Sequence, residues 1–237
     1  MKIRLITVPN LLTLANLLCG ALATVYALVR NDLTTAFLLV IAAAVFDFFD
    51  GFAARLLRQS SPIGLQLDSL ADDISFGLAP SAVLYALYMQ SEGLWPLPPQ
   101  AGLLLFVLSA FSALRLAKFN IDDTQRTEFC GLPTPAAAMF CVSLGLLAER
   151  RGVRFPQEAL LAAAAALSWL LVSPVRMFSL KFHGFGWSGN RLRYLFLALC
   201  AVLIFALRAY AIPVIIVLYI AVSFVRWLLQ GRGPLEA

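Results

Sequence analysis

Histidine is almost absent from this sequence. His183 stands alone among 237 residues, in a glycine-rich stretch, and a single imidazole cannot anchor a multi-histidine metal site. The four cysteines, Cys19, Cys130, Cys141 and Cys200, show no C-x-x-C spacing and sit mostly in apolar runs, so they read as small core residues. Charge is scarce as well: charged residues make up 13% of the chain against 61% hydrophobic, and mean hydropathy is +0.86. Such values exclude disorder and most soluble domains, and they point to an integral membrane protein.

What is present is a series of long apolar runs. A bilayer-spanning helix needs roughly 20 largely apolar residues, and the chain offers about eight such segments, near 10–29, 33–58, 64–90, 101–121, 134–149, 158–180, 191–209 and 211–229. The expected fold is all-α, a polytopic transmembrane bundle forming one domain over 1–237. Met1 to Val29 shows no small-residue cleavage site and is interrupted by Pro9 and Asn10, so it reads as a first span, not a cleaved leader.

The net charge of +5 belongs with this topology, not with nucleic acid. With an even number of spans and both termini in the cytoplasm, Arg30, Arg150, Arg151, Arg154 and Arg208 fall on the far side. The remaining 13 of the 18 lysines and arginines, Lys2, Arg4, Arg126, Lys181 and Arg232 among them, then lie on the cytoplasmic side, as retained positive charge requires. The ERRGVR loop at 149–154 runs against the bias locally. Membrane lipids, anionic ones in particular, are the expected partners of this charge.

Against that background the stretch DFFDGFAARLLRQSSPIGLQLDSLAD, residues 47–72, is anomalous. It carries four aspartates inside apolar segments, where a carboxylate costs several kcal/mol on insertion scales and marks function by default. The cluster Arg58-Gln59-Ser60-Ser61-Pro62 reads as a turn. Asp50 and Asp68 lie about equally far from its centre, as do Asp47 and Asp72. Two antiparallel helices joined there hold the acids at similar depths, and spacings of three and four keep each pair on one face. Four carboxylates together need protons or cations. Oxygen-only ligands favour hard ions such as Mg²⁺, Mn²⁺ or Ca²⁺, and two metals beside a phosphoryl group would polarise it. Arg55 is placed to neutralise a further phosphate oxygen.

Other polar features leave two readings open. Asn10, Thr13 and Asn16 form a stripe on the first helix that serves either helix–helix hydrogen bonding or a ligand. Gly51 and Gly64 serve close approach of a ligand or close helix packing. Arg115 and Lys118, three apart with Asn120 following, are either membrane-boundary anchors or ligand contacts. The run FCGLPTPAAA, 129–138, reads as a rigid lead-in to the fifth segment, and the last two segments look like lipid-facing support.

The pattern Asp47-x-x-Asp50-Gly51-x-x-Ala54-Arg55, eight residues, then Gly64-x-x-x-Asp68-x-x-x-Asp72 resembles the signature of the CDP-alcohol phosphatidyltransferases, with every position filled. Within that family the chain is most similar to the membrane-embedded members that use L-serine as acceptor. That likeness spans 8 to about 182 and rests on PNLLTLANLLCG, LDSLADDISFGLAPS, LRLAKFN, FCGLPTPAAA and LVSPVRMFSLKF. Asp73 departs from it, since an apolar or small residue more often follows the fourth aspartate.

The resemblance implies a six-helix catalytic core with two accessory helices over 191–229, and two divalent cations, Mg²⁺ or Mn²⁺. They would be held by Asp47, Asp50, Asp68 and Asp72, with Asp72 also the general base. Asn16, Gly51, Ala54, Arg55 and Gly64 would receive CDP-diacylglycerol; Arg115, Lys118 and Asn120 are the candidates for the acceptor. The implied setting is a homodimer in a bacterial-type cytoplasmic (inner) membrane with its site facing the cytoplasm. Alternative acceptors are glycerol 3-phosphate, inositol phosphate or choline. The rival class is a cation-coupled secondary transporter, which should show inverted repeats; here the second half has no counterpart to the acidic hairpin.

Overall fold

The computed structural model describes residues 5–122, 129–178 and 187–229; Lys2, Arg4, Asp123, Arg126, Lys181, His183 and Arg232 lie outside them. Helix α1, Val8–Val25, starts where Thr7 accepts the Asn10 amide and Pro9 occupies the first turn. There the missing N–H is harmless. It continues as a π-helical turn, Tyr26–Arg30, and ends at Asn31 in the left-handed region. Asp32 then caps α2, Leu33–Leu56, accepting the Thr35 amide at 2.7 Å and hydroxyl at 2.6 Å. Those bonds hold the Asp32 carboxyl below its usual range, so its capping is present above the ordinary carboxylate pKa and lost as pH falls.

Arg58, with φ 53°, closes α2, and Ser61 caps α3, Pro62–Asp72, by accepting the Gly64 amide. The chain runs on through a second π-helical turn, Asp73–Leu78, into α4, Ala79–Gln90. A 3₁₀ stretch, Pro99–Phe106, leads into α5, Val107–Ile121. Next come α6, Thr134–Arg151, and α7, Gln157–Val172. The last stretch is α8, Trp187–Leu207, and α9, Ala211–Leu229. Arg208, with φ 51°, folds α9 back on α8, so that Phe196 and Tyr219 meet with ring centroids 6.1 Å apart.

The all-α expectation holds, with seven helical stretches among the described residues rather than about eight, because the 3₁₀ turn at 208–210 joins α8 to α9 without a break as it folds one back on the other. Among the described residues, five stretches are long and apolar enough to cross a membrane. The expected sixth segment, 158–180, stops at Val172. Ser173 is extended there (ψ 156°), as a residue before proline prefers.

Helices α4 and α6 form the centre, with Tyr88, Leu84, Val83, Ala138 and Val142 fully buried, and α1, α2, α5, α7 and α9 pack around them. The C-terminal hairpin is not lipid-facing throughout. Phe196 and Tyr219 close on Phe178, and Tyr219 donates its hydroxyl to Phe178 O at 3.1 Å; the outer side is apolar and open, with Phe205 89% exposed.

Among the described residues strand pairing is confined to β1, Phe129–Cys130, and β2, Arg176–Met177, antiparallel. It ties the start of α6 to the end of α7. Gly131 turns the chain between β1 and α6 with φ 81°, its amide on Val175 O at 2.9 Å. A Cβ there would crowd the backbone of Leu171, so the lead-in to α6 is rigid because only glycine fits. Gly131→Ala should lower stability by about 1–3 kcal/mol, read as a lower thermal midpoint in detergent; an unchanged midpoint would mean the turn relaxes freely.

Candidate active site

The ends of the helices on one side of the bundle converge on the acids. Ligand oxygens of Asp47, Asp50 and Asp68 all lie within 4.8 Å of one another. Asp47 and Asp50 come from α2 and Asp68 from α3, so the hairpin geometry expected from the turn is the one observed. Asp72, one turn beyond Asp68, brings its carboxyl against that of Asp47. The set is all oxygen, compact and half-buried, which suits a hard divalent cation.

Helix α1 supplies the neutral donors. Thr13 donates its hydroxyl to Asp50 Oδ2 at 2.6 Å, and Asn16 Nδ2 donates to Asp72 Oδ1 at 3.2 Å. The polar stripe is therefore turned onto the carboxylates, and the Thr13–Asp50 bond is a contact that sequence reasoning missed. Its signal was the three-residue spacing, which showed the face but not its partner. Asn10 donates to Leu5 O at 2.8 Å.

A cavity of about 190 Å³ adjoins the acids, lined among others by Asn10, Thr13, Asp50, Gly51, Ala54, Gly64 and Asp68. A Cβ on Gly51 would meet nothing within 4 Å, so that glycine borders open space and not a helix contact. Gly64 faces Asn10 Oδ1. Two expected contacts do not line the cavity. Asn16 is fully buried beside Asp72, and Arg55 is exposed with its Nε folded back on Gly51 O at 3.0 Å.

The acceptor candidates separate. Arg115 is only 7% exposed; its Nη1 donates to Thr134 Oγ1 at 3.0 Å, and its Nε is buried without a partner. It lies within electrostatic range of Asp72 and of Tyr219 from α9, and 5.7 Å from the Phe119 ring centroid. Lys118 is exposed, suiting a boundary anchor, so the two cations do not share one environment. Asn120 donates to Ser69 Oγ at 2.8 Å, bracing α5 against α3. Asp73 points away from the acid cluster toward Gly77 and Ser112 on α5.

A model of the CDP-alcohol phosphatidyltransferase family matches residues 6–172. The chain belongs to that family. It is therefore a membrane transferase of phospholipid biosynthesis, and family members generally depend on a divalent metal. Relatives named CDP-diacylglycerol–serine O-phosphatidyltransferase include one from Bacillus subtilis, 35% identical over 74% of this chain and 92% of its own. Another, from Helicobacter pylori, is 32% identical over 93% and 90%. A third, from Mycobacterium bovis, is 31% identical over 94% and 80%. The C-terminal hairpin lies beyond the family match.

Ligand carboxylates in such sites are oriented by the groups behind them, whose loss typically lowers metal affinity or activity about 10- to 100-fold. Thr13→Val, which keeps the shape and removes the donor to Asp50, should raise the half-saturating Mn²⁺ concentration within that range. An unchanged titration would make the Thr13 bond incidental.

Proposed function

We propose that the enzyme transfers the phosphatidyl group of CDP-diacylglycerol to the hydroxyl of L-serine, giving phosphatidylserine and CMP. The observation carrying this reading is a buried, incompletely partnered arginine, Arg115, set behind an acid cluster that bears the family signature. Asp47, Asp50 and Asp68, with Asp72 completing the set, would hold two divalent cations, Mg²⁺ or Mn²⁺. Bound there, the cations would withdraw charge from the phosphoryl oxygens and the departing phosphate.

The remaining chemistry falls to the chain's own residues. Gly51, Ala54 and Gly64, with Asn10, border the space that receives the cytidine diphosphate head group. Arg55 at its rim is free of acidic partners in the hydrogen bonds described and supplies positive charge toward it. Asp72 takes the proton of the serine hydroxyl as that oxygen bonds to the lipid-linked phosphorus. The bond from this phosphorus to the bridging pyrophosphate oxygen breaks, and CMP leaves with the electron pair. Arg115 holds the serine carboxylate through charge-assisted hydrogen bonds, a role assigned to it rather than to the exposed Lys118.

The site would face the cytoplasm of a bacterial inner membrane. Arg55, Arg58, Lys118 and Arg176 lie at its end of the bundle, and basic residues are retained on the cytoplasmic side.

Chelation with EDTA should abolish CMP release, and Mg²⁺ or Mn²⁺ should restore it; full activity in chelator would sink the two-metal arrangement. For the acceptor, Arg115→Ala should raise the serine KM roughly ten- to a hundred-fold while leaving the KM for CDP-diacylglycerol nearly unchanged. The measurement is CMP release from purified protein with CDP-diacylglycerol and a panel of serine, glycerol 3-phosphate, inositol phosphate and choline. Preference for another alcohol would overturn serine as acceptor and leave the transferase chemistry standing.

A further inference from the structure

Asp72 is the last residue of α3, and the chain does not continue from it in regular α-helical form. Residues Asp73–Leu78 make a π-helical turn before α4 resumes at Ala79. Such turns interrupt the 3.6-residue register and are frequent at functional sites. This one begins at the carboxylate assigned to take the acceptor's proton.

One residue of α1 grips the turn at two points. The side chain of Asn16 donates to Asp72 Oδ1 at 3.2 Å, and its backbone carbonyl accepts from Ser75 Oγ at 2.9 Å. Asn16 and Ser75 are both fully buried. Gly20, one turn further along α1, is what permits the contact: a Cβ there would lie 2.5 Å from Ser75 Cα and 2.8 Å from Ser75 N. On the opposite side a Cβ on Gly77 would lie 2.8 Å from Ser112 Oγ of α5. The turn is thus wedged between two helices, at backbone distance from α1 and against the Ser112 side chain of α5.

We propose that Ser75 is a positioning residue for Asp72, acting through Asn16. Its hydroxyl fixes the register of the turn against α1, and that register sets where the Asn16 amide meets the Asp72 carboxylate. Ser75 touches no reacting atom. The proposal rests on the proton-accepting role given to Asp72 above.

Small misplacement of a reacting group lowers turnover steeply, by as much as about 100-fold for 1 Å. Ser75→Ala should therefore lower kcat by about tenfold at saturating Mn²⁺, with the KM for CDP-diacylglycerol unchanged. Because Ser75 acts through Asn16, the double variant Asn16→Ala/Ser75→Ala should be no slower than Asn16→Ala alone. A raised KM together with a lowered thermal midpoint, or additive losses in the double variant, would overturn the proposal. Asp72→Asn measured alongside separates the possible failures. Near wild-type turnover in Asp72→Asn overturns the base itself, whereas an inactive Asp72→Asn with an unaffected Ser75→Ala overturns only the positioning role.

Discussion

An ionised carboxylate within a membrane is tolerated only where something answers its charge, and each acid placed at a helix centre costs about 2.5–3.5 kcal/mol on insertion scales. This chain sets four of them on one helical hairpin, α2 and α3, and helices α1 and α5 are arranged as the response. Helix α1 turns Thr13 and Asn16 toward Asp50 and Asp72. Helix α5 buries Arg115 within electrostatic range of the same cluster. Hydrogen bonds alone leave the negative charge in place, so the arrangement calls for cations, and the all-oxygen donor set matches the divalent-metal dependence general in the family.

Much of this was legible in the sequence because it depends on local spacing. The turn at 58–62 and the intervals within each aspartate pair are enough to bring Asp47, Asp50 and Asp68 together, and the structure places them so. What spacing does not give is the rotation of one helix against another. Asn16 and Asn10 lie on the same stripe, yet Asn16 turns to Asp72 while Asn10 borders the cavity. Arg115 and Lys118 are three residues apart, yet one is buried and the other exposed, since only Arg115 reaches Thr134 at the start of α6. The π-helical turn after Asp72 is equally invisible to periodicity: its stretch, DISFGL, reads as ordinary apolar helix.

The C-terminal hairpin shows the same limit from the other direction. Its apolar composition suggests a side turned wholly outward, yet Tyr219 and Phe196 reach inward to Phe178 just after β2. That contact docks α9 next to the strand pair that ties α6 to α7, within electrostatic range of Arg115. Thr134, which receives the Arg115 guanidinium, sits at the start of α6 immediately after the Gly131 turn. The placement of one buried cation thereby draws on α5, α6, α7 and α9 together.

The cavity beside the acids is lined by Gln59, Ser60 and Ser61 of the helix-joining turn as well as by Pro9 near the start of α1, so it lies at the bundle's end and not at its middle. A lipid-linked nucleotide can therefore present its head group there while its acyl chains stay in the bilayer. Withdrawing those chains would oppose binding by about 0.8 kcal/mol for every methylene exposed to water, a cost that a site at the bundle's end would not incur. Such a lipid would arrive by sideways travel within a sheet, and a small polar acceptor from the aqueous side. Catalysis would then be set by the surface density of the lipid rather than by its concentration in bulk solution.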